Sequence, residues 1–545
     1  MSELKNGVVS SASAAEQVFA IEGKTSSGTE VEKSRLLRDL RGLLSLNSIS
    51  NYDFERISFF KGTGTSSGEF YARFPVSGVL EVACLNSERF KRWLVNNGND
   101  LKYKDAKNAI DNLRAKAEFD EIVEEREICT RIGCNAGKIY LCLYDKEHRV
   151  IEIDAEGWRI IDEYKAPVLF IPSSSGAIPI PERGGSINDL REFMNVNDDD
   201  FRLIVGWLLA SLNPDVDRPI LWVNGEKGYG KTELTNLLKK LIDPDATGAL
   251  APVDSVRDFK VIASSRYIVG LDNISKITKK WSDTFCRMVT GISFVSRKLY
   301  TDSTTFSVKS HNSLIINGKN LMPTYDDLED RCFCITLQKL DKTNRKSKEK
   351  IRASFDEKRP KILGAFLDAV SAALKNSEYN KDIDARMLDT CRFIIKAADT
   401  GSLPFSDDDF IATIMKKRDE TNFCEISSEP LANIIYAMVE EKLKTEDNAA
   451  EIEVYSGTTR ELFEKVLQHA HTAEKKELPQ DTRTFGRRLR EVTKEILSQY
   501  GVTAEFNRNS KSRLVTIKYA ASANHLSIGY KPENNVNTNT DDTVK

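Results

Sequence analysis

Gly225-Glu226-Lys227-Gly228-Tyr229-Gly230-Lys231-Thr232 reads G-x-x-x-x-G-K-T, the spacing of a phosphate-binding P-loop. Glycines at 225, 228 and 230 let backbone N–H groups fold around phosphate oxygens. Lys231 is expected to reach the β- and γ-phosphates and Thr232 to hold Mg²⁺. Tyr229 and Glu233, inside and just after the loop, join them as expected nucleotide contacts. The flanks fit. Pro219-Ile220-Leu221-Trp222-Val223 is a short apolar run of strand type. From Thr232 to Leu241 the spacing is helical, with Leu234, Leu237, Leu238 and Leu241 on one face. A helix starting there points its positive end at the anion. The chemistry expected is binding of ATP with Mg²⁺.

A nucleotide-hydrolysing site needs a second acid. Tyr267-Ile268-Val269-Gly270-Leu271-Asp272-Asn273 supplies an apolar run ending in Asp272, expected to reach Mg²⁺. Most ring ATPases follow this aspartate with glutamate. Asn273 stands there instead, so the water-activating base lies elsewhere or hydrolysis is slow. Asp283 is one substitute, although its position also suits a helix N-terminal carboxylate. Ser313-Leu314-Ile315-Ile316-Asn317 is a third strand-like run. Asn317 at its end is the candidate sensor of the γ-phosphate, or else a turn residue before Gly318. Arg331, after Asp327-Leu328-Glu329-Asp330, is the candidate cation for a neighbouring subunit's γ-phosphate. The alternative is a salt bridge with Asp327 or Asp330. Between the second and third strands, 291–302 and 306–309 read as a β-hairpin carrying Arg297, Lys298 and Lys309. Cations beside aromatics on a hairpin suit a single-stranded DNA backbone, and equally an ordinary solvated hairpin.

These residues need a scaffold, and the chain is long enough for about three domains. It has 545 residues, 40% hydrophobic and 30% charged, with a formal net charge of −3. That is the composition of a soluble globular protein, and its weak net charge confines any DNA contact to local patches. No apolar run approaches the ~18 residues of a membrane span, and the N-terminus lacks a signal-peptide core. A cytoplasmic location without membrane partners is expected. The nine cysteines are scattered, so reduced thiols are the default. Cys129, Cys134 and Cys142 lack the further ligands of a zinc site.

The fold class expected is multidomain α/β: an N-terminal α+β domain, a central P-loop NTPase with a helical lid, and a C-terminal winged helix. Residues 1–30, rich in Ser, Ala, Gly and Glu, read as flexible. Residues 31–171 mix helices (31–46, 89–95, 104–119) with strands (70–74, 139–143, 150–153) and read as an accessory or collar domain. His148 and Asp154 within it read as ordinary loop and strand-end residues. Residues 172–186, rich in Pro, Gly and Ser, read as a linker. Residues 187–375 hold the ATPase domain, with 339–352 a charged, solvated stretch and a helix from Ile362 to Leu374. Residues 376–452 read as helical lid and connector.

Residues 453–520 read as helix, helix and β-hairpin. A helix from Thr482 to Tyr500 buries Phe485, Leu489, Val492 and Ile496, and Gly501 ends it. Between Asp481 and Ala520 nine basic residues face four acidic ones. Arg487, Arg488 and Lys494 on the helix, and Arg508 and Lys511 on the wing, are candidate DNA-phosphate contacts. The alternative is a charged solvent face of a protein-binding winged helix. Residues 521–545, rich in Asn, Thr and Asp, read as a disordered tail.

The succession IPER-GG, GEKGYGKTEL, YIVGLDNIS, SDTFCRMVTG, SRKLYTD, LIINGKN, DLEDRCF and a basic winged helix resembles the AAA+ replication helicases of phages, satellites and mobile chromosomal cassettes. These are related to superfamily 3 viral helicases and are similar in organisation to MCM helicases. The resemblance covers residues 60 to 520. It implies an ATP-driven ring, commonly a hexamer, that moves on single-stranded DNA and opens duplex. It implies Lys231 and Thr232 on phosphate and Mg²⁺, Asp272 on Mg²⁺, Asn317 as sensor, Arg331 as the arginine finger in trans, and Arg297 and Lys298 on a pore hairpin. Asp-Asn also occurs in this family. Many relatives are fused to a primase, but residues 1 to 180 carry no such motif. No priming activity is expected, and a separate primase or other replication protein is an expected partner. Two other readings remain open: an origin-binding initiator or helicase loader, and a remodelling or defence ATPase that does not use nucleic acid.

Overall fold

A computed structural model describes residues 35–520 except 45–49, 64–67, 77, 99–100, 120–122, 172–174, 298–304, 319–322, 324, 340–346, 380, 382, 384, 444–450, 471–474, 476 and 509–512. The expected flexible N-terminus and disordered tail, and Lys298 and Lys511, lie outside the described residues. The chain divides into two compact units, residues 1–413 and 414–545. The division falls inside the stretch 376–452 expected as one lid and connector.

The first unit opens with α1 (Arg35–Leu43), α2 (Asn51–Glu55), β1 (Ser58–Thr63), β2 (Phe70–Val76), β3 (Val79–Cys84), α3 (Glu88–Asn97), α4 (Tyr103–Ala117) and β4 (Glu124–Cys129). An antiparallel meander follows: β5 (Ile132–Asn135), β6 (Lys138–Cys142), β7 (Arg149–Asp154) and β8 (Gly157–Asp162), then the short β9 (Leu169–Phe170). One sheet runs β3-β2-β1-β4-β9, and the meander is a second. Phe74, Phe90 and Trp93 pack α3 onto the first sheet with ring centroids 4.8–5.6 Å apart. The Trp93 indole satisfies its N–H on the Pro75 carbonyl at 2.7 Å.

Next come α5 (Asp198–Leu212), β10 (Ile220–Asn224), α6 (Lys231–Ile242), α7 (Val256–Ser264), β11 (Ile268–Ile274), α8 (Lys279–Val289), β12 (Ile292–Arg297), β13 (Thr305–Ser310), β14 (Ser313–Gly318), α9 (Asp326–Glu329) and β15 (Cys332–Thr336). The all-parallel sheet has the order β11-β14-β10-β15. β10 and β14 are buried along their whole length, which is why they read as unbroken apolar runs rather than alternating ones. α5 is buried all round from Leu203 to Leu212 and carries no polar face.

α10 (Lys348–Lys375) begins well before Ile362 and takes in part of the stretch expected to be solvated. Ser347 caps it, its hydroxyl accepting from the Lys350 N–H at 3.3 Å. Pro360 removes one helical N–H. The helix runs through it because Phe355, Ile362, Leu363, Phe366 and Leu367 are fully buried along one side. The expected linker is also a packed segment. Ile178 is buried and its N–H bonds the Leu143 carbonyl at 3.0 Å, and the Glu182 N–H bonds the Pro360 carbonyl at 3.0 Å. A Cβ on Gly185 would lie 2.1 Å from the Lys361 carbonyl oxygen, and one on Gly364 1.9 Å from that of Glu182. The glycines here serve close backbone approach, not flexibility. The meander is tied to the same helix. The Trp158 indole donates to Asp368 at 2.8 Å, and the Ser371 hydroxyl to the Asp154 carbonyl at 2.5 Å. α11 (Leu388–Asp399) packs beside α10.

After α12 (Asp407–Ser428) the second unit holds α13 (Pro430–Leu443), β16 (Glu451–Thr458), α14 (Thr459–His469), α15 (Thr482–Glu495), β17 (Val502–Arg508) and β18 (Arg513–Ala520). Its antiparallel sheet runs β16-β18-β17. Leu431, Ile435, Leu462, Phe485, Leu489 and Val515 share one core. α13, expected in the connector, therefore belongs to this core, and β16 is a strand the sequence reading lacked. α15 stops at Glu495. A 3₁₀ turn, Leu497–Tyr500, follows, and Gly501 ends it at φ 73°. Among the described residues no helix is long and apolar enough to cross a membrane.

Candidate functional site

β10 delivers the glycine loop to the end of the parallel sheet. Gly225, Gly228 and Gly230 take φ of 144°, 89° and 94°, which side chains with a Cβ resist. Gly230 then starts α6. The Lys231 ammonium folds back onto the loop and donates to the carbonyls of Gly225 and, at 3.1 Å, Glu226. Tyr229 is half-buried, its N–H bonded to the Glu226 carbonyl at 3.3 Å. Thr232, at the first turn of α6, donates its hydroxyl to the Asp272 carboxylate at 2.9 and 3.1 Å. A hydroxyl oxygen, a carboxylate and a lysine thus converge on the mouth of the loop. That donor set fits Mg²⁺, which takes one or two protein oxygens and fills its shell with phosphates and water.

β14 lies between β10 and β11, so Asn317 ends between the loop and Asp272. Asn317 is fully buried and both ends of its amide are engaged. Its Oδ1 accepts from the Asn273 N–H at 2.9 Å and its Nδ2 donates to Thr235 Oγ1 at 3.1 Å. Thr235 in turn donates to the Lys231 carbonyl at 3.0 Å. A chain of bonds thus joins two strand ends to the first turn of α6. Asn273 sits at φ 58°, where the β11 register slips between Leu271 and Ile274. Asparagine tolerates this left-handed geometry better than glutamate, a physical reason for the residue found there.

Three other expected residues are engaged elsewhere. Glu233 does not face the loop mouth alone: Arg352 of α10 grips it in a fork, at 2.7 and 2.8 Å. Asp283 lies within α8 and pairs with Lys279 at 3.6 Å. Arg331 bonds the carbonyl and carboxylate of Asp327, the same carboxylate that Arg386 reaches at 2.6 Å. The Arg331 hydrogen bond holds the Asp327 carboxyl below its ordinary value. Register locates Arg331 further. Ile220 pairs with Cys332 and Asn224 with Thr336, so Arg331 enters the sheet at the edge opposite the glycine loop. Five strand residues span about 16 Å, so this arginine cannot serve its own loop.

β12 and β13 form an antiparallel hairpin in which Arg297 pairs with Thr305 and Ser293 with Lys309. Arg297 is the last residue of β12. On α15, Arg483, Arg487, Arg490 and Lys494 are exposed and spaced as one helical stripe. Arg488, also an expected DNA contact, is ion-paired and partly exposed. It bonds Glu429 at 2.7 and 3.2 Å and Glu491 at 3.3 Å. Arg483 and Arg490 belong to the exposed face as well, and their spacing from Arg487 was the signal for it. Arg508 ends β17 and pairs with Arg513 across the hairpin.

Fold and site define a multidomain α/β chain whose parallel sheet carries a glycine loop, a threonine–aspartate pair and a second unit with a cationic helix. Residues 187–407 match the family of the actinomycete integrative conjugative element replication protein, and residues 431–533 match the AICE RepA C-terminal domain. The chain is thus similar, in both units, to a replication protein of a mobile element. No curated protein matches it. Among solved structures, the apo A form of the NrS-1 C-terminal region is 11% identical, covering 86% of this chain and 97% of that one, with a TM-score of 0.39. A JCV helicase structure is also 11% identical, covering 38% of this chain and 67% of that one, with a TM-score of 0.20. Neither score assigns the fold.

Proposed function

We propose that this chain is an ATP-dependent DNA helicase acting in the replication of a mobile genetic element, a ring-forming AAA+ motor that moves on single-stranded DNA. The observation that carries the reading is the Thr232 hydroxyl bonded to the Asp272 carboxylate beside the glycine loop. Nucleotide phosphates compete for Lys231 with the Gly225 and Glu226 carbonyls and draw it outward. Thr232 and Asp272 would hold Mg²⁺, which supplies charge neutralisation between the β- and γ-phosphates. Asn317 is a positioning residue that keeps Asn273 and α6 in register. The Asn273 amide can orient water but does not take its proton. Arg331 acts on a neighbouring subunit's γ-phosphate after leaving Asp327, and the β12–β13 hairpin carries Arg297 towards the strand. The order α13-β16-α14-α15-β17-β18 supports a winged helix, with the α15 stripe on DNA phosphates.

The test is ATP hydrolysis by purified protein with and without single-stranded DNA, beside the Arg297→Ala/Lys298→Ala double variant. The expected result is strong stimulation by DNA, lost in the variant with basal turnover intact. Equal turnover with and without DNA would overturn the motor reading. Specific duplex footprinting without strand separation would replace it with an initiator, which the α15 stripe favours as the second reading.

The two adjacent arginines of α15 should separate cleanly. Arg487→Ala is expected to weaken DNA binding and reduce its salt slope by about one. Arg488→Ala is expected to cost about 1 kcal/mol or less of stability, because its ion pair is half-exposed. It should change DNA binding less than Arg487→Ala does. Salt-titrated fluorescence anisotropy and urea unfolding read the two effects. Equal losses of affinity would place Arg488 on the DNA face as well.

A further inference from the structure

A second pocket lies in the N-terminal part of the first unit, away from the glycine loop. The β2–β3 and β6–β7 hairpins and the end of β8 enclose a cavity of about 240 Å³. Gly78 turns β2 into β3 at φ 85° and leaves the mouth open, with nothing within 4 Å of the place a Cβ would take. Arg73 lines the cavity from β2, and Arg56 and Lys146 stand on its walls. The Arg73 guanidinium lies 5.3 Å from the Phe60 ring centroid, with Arg126 at 5.6 Å. Arg73 and Lys146 make no ion pair with a carboxylate among the described residues.

Acids also line the cavity, and each has a partner side chain. Glu163 bonds His148 Nδ1 at 3.3 Å, Glu147 pairs with Arg149 at 2.7 Å, and Asp162 lies 3.7 Å from Lys165. Arg56 lies 3.9 Å from Asp53. Two lining cations, Arg73 and Lys146, form no ion pair with these acids, although the charges of Glu163 and Glu124 reach Arg73. Burial, with Arg126, pushes the Arg73 guanidinium below its ordinary value, while Glu163 and Glu124 oppose the shift; an added anion would favour the charged form further. His148 holds a φ of 52°, an uncommon backbone state at the pocket wall. Tyr164 stands half-exposed at the rim. The cavity is smaller than the roughly 300–1,000 Å³ of a whole small-molecule site. It suits a phosphate and its sugar, with the base outside against an aromatic.

We propose that this pocket binds a nucleotide unit, its phosphate against Arg73 and Lys146 and its base against Tyr164. The unit comes either from a free nucleotide or from the phosphorylated end of a DNA strand. Neither source depends on the motor reading.

The experiment measures binding of thymidine monophosphate, thymidine and inorganic phosphate to the full chain by calorimetry, with ADP and Mg²⁺ saturating the glycine loop. Thymidine monophosphate is expected to bind at least about tenfold more tightly than thymidine. Arg73→Gln and Lys146→Glu should each weaken it by about tenfold with unchanged melting. Lys146 is exposed, so its variant keeps the test valid if Arg73→Gln unfolds. Equal binding of thymidine monophosphate and thymidine, or wild-type binding by both variants, would overturn the proposal. Inorganic phosphate competing as well as the nucleotide would also overturn it. A 5′-phosphorylated oligothymidine preferred over its 5′-hydroxyl form, in an Arg73-dependent way, identifies the strand end. Without that preference, the source is the free nucleotide. No readout here depends on ATP turnover or DNA movement, so failure of this pocket and failure of the motor reading are separable.

Discussion

Lys231→Ala is expected to remove ATP turnover, lowering the rate by about 10²–10³-fold or more, equivalent to ~3–4 kcal/mol of transition-state stabilisation. Lys231 is the cation at the loop mouth. In the chain its ammonium donates to two loop carbonyls, those of Gly225 and Glu226. It is half-buried and outside the core, so the variant should fold and melt like the wild type. Asp272→Asn should follow it, since the amide keeps a bond to Thr232 but loses the charge a divalent ion needs. Phosphate release from purified protein reads both. A Lys231→Ala chain that hydrolyses ATP at the wild-type rate would move the nucleotide site elsewhere.

Arg331→Ala is the second large effect. An arginine supplied in trans contributes about 10³–10⁵-fold to phosphoryl transfer. Turnover should fall by at least the lower figure while nucleotide affinity stays nearly unchanged. The fold should tolerate the change, because Asp327 keeps Arg386 as a partner. Mixing the two variants makes the prediction sharper. A Lys231→Ala subunit still carries Arg331, and an Arg331→Ala subunit still carries a working loop. Their mixture should recover activity that neither has alone. Full activity of Arg331→Ala by itself would leave Arg331 as no more than the ion-pair partner of Asp327.

The strand, loop and helix from Ile220 to Ile242 were legible because local pattern alone specifies them: a buried strand, positive-φ glycines and an amphipathic helix. β11 and β14 were legible for the same reason. What escaped depends on residues far apart in the chain. Pro360 and the charged residues before it concealed the start of α10, whose continuity rests on burial of Phe355 and Ile362. Gly185 read as linker because nothing local reveals the Lys361 carbonyl against which it packs. The ion pair of Arg488 was hidden because Glu429 is 59 residues away. Asn317 could be placed at a strand end, but not its two partners, the Asn273 N–H and Thr235. β16, with its alternating Ile452 and Val454, was within reach of a period-two reading and was missed.

The ties between the meander and α10 bear on the order in which the chain can fold as it is made. Trp158 and Asp368 are 210 residues apart. At a synthesis rate of about 5–20 residues per second, roughly 10–40 s separate them on the ribosome. Throughout that interval the Trp158 indole N–H has no protein acceptor in Asp368, and the Asp154 carbonyl waits on Ser371. The meander therefore emerges with its α10-facing edge uncovered, and the helix that closes it arrives only after the entire parallel sheet. A nascent chain halted before Lys375 would keep that edge exposed, a natural point of engagement for a chaperone.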